Sequence, residues 1–133
     1  MHSVNIEPQE IFQALSDGTR IRIARLLAQT GSEACLCELV DCLLEPQSNV
    51  SRHLKVLRQA GLLTAMKDGR WVYHRLVRDV AHLERLYELL KALPDSDNLF
   101  AKDLANFQNR MSLREDGRCR IGIQTMALKV EAG

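Results

Sequence analysis

The chain has 133 residues, 46% hydrophobic and 26% charged, enough for one packed domain and too apolar to stay disordered. No apolar run approaches the roughly 18 residues of a membrane span. The opening Met1–Glu7 lacks the basic-then-apolar pattern of a signal peptide, so cytoplasmic residence with reduced thiols is expected. The net charge of +1 is unevenly spread. Between Gln47 and Arg78 stand seven basic residues (Arg52, Lys55, Arg58, Lys67, Arg70, Arg75, Arg78) and one acid, Asp68, a net +6. The other eleven basic and sixteen acidic residues leave −5. A basic segment in an acidic chain is a candidate polyanion-binding face.

In chain order, Glu7–Leu15 reads as a short helix with Pro8 tolerated in its first turn. Asp17 is a candidate N-cap for a second helix, with Ile21, Ala24, Leu27 and Ala28 as its apolar stripe and Thr30-Gly31-Ser32 as its end. Leu36, Leu39, Val40 and Leu43 give a third helix that stops near Pro46. From Gln47 to Ala60, Val50, Leu54 and Leu57 fall at i, i+4 and i+7 and define a buried stripe. Ser48, Arg52, Lys55 and Gln59 lie opposite it, and Gly61 follows as a C′ residue. Leu63–Lys67 and Trp71–Arg75 read as two strands joined through Asp68-Gly69. Val80, Leu83, Leu86, Tyr87, Leu90 and Leu93 mark a long amphipathic helix ended by Pro94. Phe100, Leu104, Phe107 and Met111 mark another. Periodicity is lost from Ser112, so residues 112–133 are expected to form a loosely ordered tail behind a 1–111 domain.

Four helices, a hairpin and two further helices make a mainly α (α+β) fold, a winged helix-turn-helix with a two-stranded β-hairpin wing. The major groove of B-DNA admits one helix, and the second helix of this motif presents its N-terminal side chains to base edges. The candidate DNA-binding residues are Gln47, Ser48, Asn49, Ser51, Arg52, His53 and Lys55 on that helix, with Lys67 and Arg70 at the wing tip. Arg52 can bond guanine bidentately. Lys55 and Arg58 suit phosphates, and His53 reads as a helix-flank or phosphate-contact residue. A protein-interaction winged helix is the plainer alternative, and the basic exposed face disfavours it.

Three segments carry a resemblance. Phe12-Gln13-Ala14-Leu15-Ser16-Asp17-Gly18-Thr19-Arg20 is similar to the opening signature of the ArsR/SmtB family of metal-sensing repressors. Val50–Leu63 resembles that family's recognition helix and following strand, and Lys67–Leu76 its wing. The resemblance spans roughly Pro8 to Leu93. It implies a homodimer formed by the first helix and the long helix after the wing, a palindromic operator, and release of DNA when an effector binds. The width of the Val80–Leu93 stripe points independently to a partner surface.

Cys35-Leu36-Cys37-Glu38-Leu39 resembles the cysteine segment of the arsenic-responsive and cadmium/lead-responsive members. Thiolates suit soft metals and metalloids, and a helix start favours the thiolate. Residues i and i+2 of an ideal helix point about 200° apart. Cys35 must therefore precede the helix or sit in a distorted first turn, or the helix must unwind on binding. The arsenic-responsive pattern often has a third cysteine where this chain has Val40. Cys42 lies roughly 10 Å along the axis from Cys35 and reads more readily as core, whereas Cys119 stands on the tail and can fold back. The candidate metal ligands are thus Cys35, Cys37, Cys119 and Cys42. A redox pair or small buried residues are the alternatives for Cys35 and Cys37. Zinc-responsive members use Asp and His two apart after the wing, where this chain has Asp79 and Ala81, with Ala92 and Asp95 at the later positions. That site is not expected, and His82 reads as an exposed or interface residue.

The expected function is a homodimeric repressor released from palindromic operator DNA by As(III) or Sb(III). The alternatives are release by Cd(II), Pb(II) or Zn(II) at the same thiols, or by thiol oxidation. No Cys-X-X-Cys pair, phosphate-cradling glycine loop or acid/base pair supports an enzyme.

Overall fold

A computed structural model of the chain describes residues 7–125. Their elements are α1 (Pro8–Ala14), α2 (Gly18–Thr30), β1 (Ala34–Cys35), α3 (Leu36–Leu43), α4 (Gln47–Gln59), β2 (Leu63–Asp68), β3 (Trp71–Leu76), α5 (Ala81–Ala92) and α6 (Leu99–Met111). This is a winged helix-turn-helix. None of its helices is long and apolar enough to cross a membrane.

Local chemistry accounts for the boundaries. Pro8 opens α1, where its missing N–H costs nothing. The Asp17 carboxylate accepts from the Thr19 and Arg20 N–H groups and caps α2. Gly31, at φ 67°, ends that helix in the left-handed region. At the end of α4 the Gly61 N–H bonds the Arg58 carbonyl and the Leu62 N–H the Leu57 carbonyl, a Schellman closure that turns the chain into β2. The wing reversal sits one residue later than its sequence suggests. Asp68 pairs with Trp71, leaving Gly69-Arg70 as the two-residue loop, with Gly69 at φ 64°.

The core gathers around α2, whose Ile23, Ala24, Leu26, Leu27 and Ala28 are buried on more than one face. α5 packs along α2 and α6 along α3. Leu83, Tyr87 and Leu90 of α5 are consumed inside the subunit. Leu86 is half-buried, and Leu89 is 54% exposed, as is Phe12 of α1 at 63%.

Two features depart from the sequence expectation. The wing belongs to a three-stranded antiparallel sheet, order β1-β3-β2, because Ala34 pairs with His74 and Cys35 with Tyr73. The segment after α6 is not loose as far as Thr125. Cys119 is fully buried, and Glu115 and Arg118 bridge a tight turn. The Arg110 guanidinium donates to the Ile121 and Gly122 carbonyls. Side chains gripping backbone hold this segment, and such a device leaves no hydrophobic period to read. Residues 126–133, the rest of the expected tail, lie outside the described residues.

Candidate functional site

The outward face of α4 carries Gln47, Ser48, Ser51, Arg52 and Lys55, all exposed. Val50, Leu54 and Leu57 anchor the opposite face. Asn49 is half-buried, and its amide donates to Glu45 while its oxygen accepts from Arg52, so it orients Arg52. Lys67 and Arg70 are exposed at the wing tip, where Arg70 stacks 4.6 Å over the Trp71 ring. Helix and wing thus present cations without sheltering them.

His53 does not belong to that face, and its sequence reading is corrected. It is 3% exposed, its Nδ1 accepts from Arg20 at 3.1 Å, and its Nε2 faces Asp17 at 3.6 Å. Burial depresses its basicity, so the neutral ring acts as an internal post. Arg20 also donates to the Ala14 carbonyl at 2.6 Å. The Asp17-Gly18-Thr19-Arg20 run therefore ties α1, α2 and α4 together. His74 is likewise buried. Its Nε2 lies 2.9 Å from an Arg58 nitrogen, and burial followed by the Arg58 charge pushes its pKa down to about 4. Arg58 is half-buried on that contact rather than free on the DNA side. His82 is exposed.

Three of the four cysteines converge. Cys35 is the N-cap of α3, in extended backbone (φ −82°, ψ 159°), while Cys37 lies inside the first turn. The i, i+2 conflict is resolved by placing the first thiol before the helix. The Cys37 and Cys119 sulfurs are 3.6 Å apart. The Cys35 and Cys119 sulfurs and a Glu38 carboxylate oxygen all lie within 4.8 Å of one another. Tyr73 of β3 closes the cluster, its hydroxyl accepting from the Cys119 N–H at 2.8 Å. Cys42 is elsewhere. It is fully buried against α6, donates to the Asp103 carbonyl at 3.0 Å, and is pushed up to about 12 by burial. The structure does not bring it to the other thiols.

The thiols are electrostatically unequal. Cys37 is pulled down to about 6 by a hydrogen bond from Cys35, joined by one from Cys119 and by the Arg110 charge, against the effect of burial. Cys35 is pushed well up by donating that bond and by burial. Cys119 is pushed up by burial and by the Glu38 charge. The cluster thus holds one ready thiolate between two protonated neighbours.

The charged groups around it are matched. Glu38, fully buried, receives the Cys35 N–H at 2.9 Å and both arms of Arg114 at 2.7 and 2.8 Å. Asp41 takes Arg110 at 2.6 Å and the N–H groups of Gln124 and Thr125. Arg118 meets Asp68, lies 3.3 Å from Glu33, and sits 4.0 Å over the Tyr73 ring. Arg110, Arg114 and Arg118 fall four residues apart, but α6 ends at Met111, so the spacing marks no helical face and no motif flags these residues. An ion bonded to sulfur at ~2.3 Å in tetrahedral geometry spaces its sulfurs ~3.7 Å apart. The Cys37–Cys119 separation therefore fits a shared ion. Glu38 is already bonded to Arg114 and to backbone, which leaves three sulfurs as the available donors.

A winged-helix DNA-binding regulator, with a buried thiol cluster at the foot of the helix before its recognition helix, is the class that this fold and site define. Residues 17–65 match the family described as bacterial regulatory protein, arsR family. An uncharacterized HTH-type transcriptional regulator of Methanocaldococcus jannaschii is 40% identical over 86 residues, 65% of this chain and 90% of that protein. The arsenical resistance operon repressor of Escherichia coli is 45% identical over 69 residues, 52% of this chain and 58% of that one. A cadmium resistance transcriptional regulatory protein CadC homolog of Staphylococcus aureus is 35% identical over 79 residues, 59% and 63%. The match thus spans about three fifths of the length of the last two. The chain belongs to the ArsR family of transcriptional regulators, which bind operator DNA and are not enzymes.

Proposed function

We propose that this protein is a homodimeric repressor released from a palindromic operator by trivalent arsenic or antimony held by Cys35, Cys37 and Cys119. The observation that carries the reading is the meeting of three buried thiols inside a shell where Arg110, Arg114 and Arg118 each already have a carboxylate. Arsenous acid with the one thiolate and two thiols gives three As–S bonds, two waters and one hydroxide, which leaves the buried centre neutral. From the same resting state, a divalent cation with three thiolates keeps a buried −1, and Glu38 is already matched by Arg114. Burying unmatched charge is costly, and among the described residues the guanidinium beside the cluster that lacks a carboxylate, Arg120, is exposed on the Cys119 carbonyl. The charge balance favours the trivalent ion over Cd(II), Pb(II) or Zn(II).

In this reading Arg52, Ser48 and Ser51 meet base edges, while Lys55, Lys67 and Arg70 meet phosphates and Gln47 and Asn49 frame the helix start. The exposed Phe12 and Leu89, with Leu86 and Ile11, supply an apolar surface on α1 and α5 for a second copy. Residues 7–125 then act as one unit, with 112–125 as a thiol-bearing extension of the winged helix. Its place of action is the cytoplasm, with the chromosome.

The test is release of a fluorescent operator fragment, titrated with arsenite, antimonite, cadmium, lead and zinc under reducing conditions. Release by arsenite and antimonite at concentrations well below those of the divalent ions is expected. Release by cadmium or lead first would transfer the site to the divalent reading, and release by peroxide alone would make it a redox switch.

A further inference from the structure

Asp68 is the only acid in the basic stretch from Gln47 to Arg78, and it stands at the wing tip between Lys67 and Arg70. Left alone it would repel the phosphates its neighbours attract. Arg118, from the segment that carries Cys119, lies against it. Two further contacts and a closed turn set that guanidinium in place. The Tyr73 ring of β3 lies beneath it at 4.0 Å, Glu33 stands at 3.3 Å, and the Glu115–Arg118 turn is closed by mutual backbone bonds of 3.0 Å. In that turn Asp116 and Gly117 both have positive φ (54° and 73°), the signature of a tight two-residue reversal. The next residue is Cys119, whose N–H is fixed to the Tyr73 hydroxyl and whose sulfur meets Cys37. One short rigid segment thus touches the thiol cluster with one side chain and the wing tip with its neighbour.

We infer that Arg118 is a positioning residue for DNA binding, which masks the wing acid Asp68 and unmasks it when Cys119 is drawn into effector ligation. The inference rests on the thiol reading above. Arg118 and Asp68 are 31% and 55% exposed at their side chains, and such a pair adds little to fold stability. Beside a phosphate backbone its charge counts more, because each neutralised or restored charge changes counterion release on binding. Cys37 and Cys119 already stand at ligand spacing, so completing the site with the third sulfur draws Cys119 toward Cys35. Because Arg118 precedes Cys119 directly, that pull shifts the turn from the wing and leaves Asp68 facing DNA.

A double-mutant cycle tests this, using the full chain, an operator duplex, and arsenite as the probe. Arsenite binding is followed separately by the near-UV absorbance of the arsenic–thiolate bonds. Without arsenite, Arg118→Gln should weaken operator binding about 5–10-fold and flatten its salt dependence. In the Asp68→Asn background the same change should cost less than about 2-fold, since no acid is left to mask. Asp68 is the last residue of β2, ahead of the Gly69-Arg70 loop, and asparagine has the same shape, so Asp68→Asn leaves the hairpin intact. Arg118→Lys should recover part of the affinity, through charge without the planar stack. With arsenite, both single variants should bind the effector as the native chain does, yet show a several-fold smaller ratio between free and effector-bound operator affinities. Arg118→Gln should be weak in both states and Asp68→Asn tight in both. Equal costs of Arg118→Gln in the two backgrounds, or an unchanged arsenite ratio in both single variants, would overturn the inference. If arsenite left the absorbance of the native protein unchanged, the thiol reading would fall instead, and the cycle without arsenite would still decide whether Arg118 acts through Asp68.

Discussion

On α4 and the wing tip, Lys55, Lys67 and Arg70 stand exposed, with no carboxylate at ion-pair distance among the described residues. Around Cys35, Cys37 and Cys119, by contrast, Arg110, Arg114 and Arg118 each meet an acid. Both regions are rich in arginine and lysine, so composition does not separate them. Burial does. A cation on the surface keeps its hydration and remains available to a phosphate. A cation beside Glu38 or Asp41 has lost its water and must be paired or destabilise the fold. The first region is built to attract charge from outside and the second to have none left over, which suits an effector that brings no net charge.

The largest expected effect comes from removing a sulfur. Cys37→Ser or Cys119→Ser should leave operator affinity within about 2-fold, since neither thiol touches α4, yet lower arsenite affinity by at least about 100-fold, because serine is a poor ligand for a soft ion. Cys42→Ser should leave arsenite affinity nearly unchanged, given its place against Asp103. A Cys42 variant as defective as the Cys119 variant would mean that α3 unwinds well past its first turn. Next comes the charge shell. Arg110 and Asp41 are 4% and 6% exposed at their side chains, so Arg110→Met should cost about 3–5 kcal/mol of stability in a denaturant titration by leaving Asp41 buried without its cation. A loss below about 1 kcal/mol would show that the shell is not tightly matched.

Protons sharpen the contrast between effectors. With Cys37 ionised above about 6 and Cys35 and Cys119 pushed up and protonated, a divalent cation must expel two protons to gain three thiolates. Its affinity should rise by about 100-fold per pH unit between 6.5 and 8. Arsenous acid brings its own hydroxides. One thiolate and two thiols give two waters and one hydroxide, so its affinity should fall by about 10-fold per unit in the same range. Competition titrations at three pH values measure both slopes. Slopes of the same sign would break the charge-balance reading.

The two regions also differ in how far the sequence discloses them. α4 is legible because Val50, Leu54 and Leu57 repeat at helical spacing and Gly61 has one conformational use there. The conflict between Cys35 and Cys37 is legible too, and its first solution, a thiol ahead of the helix, is the one found. β1 has only two residues, too few for any alternation, and exists because β3 offers a free edge. His53 misleads because a basic segment suggests an exposed ring, whereas it is buried with an arginine as partner, as His74 is. The 112–125 segment misleads most. Arg110, Arg114 and Arg118 hold it through carbonyls and carboxylates that are distant in sequence. Long-range polar contacts of that kind have no local period.

Smaller effects belong to the exposed face, and they separate contact with bases from contact with phosphates. Arg52→Ala should cost about 1–3 kcal/mol of operator affinity and relax sequence preference if its guanidinium reads a base. Lys67→Ala should cost less, roughly 1 kcal/mol or below. That loss should fall equally on operator and random duplex, and the slope of log affinity against log salt should drop by about 0.9 for each phosphate contact removed. The distinction follows from position. Arg52 is steadied by Asn49 on the helix that enters the groove, whereas Lys67 stands exposed on β2 beside the hairpin loop, where its charge meets whatever sequence lies beneath. Fluorescence anisotropy with both duplexes at four salt concentrations gives all of these quantities. A Lys67→Ala loss confined to the operator would turn the wing into a sequence reader, and an Arg52→Ala loss shared equally by random DNA would reduce α4 to a backbone clamp.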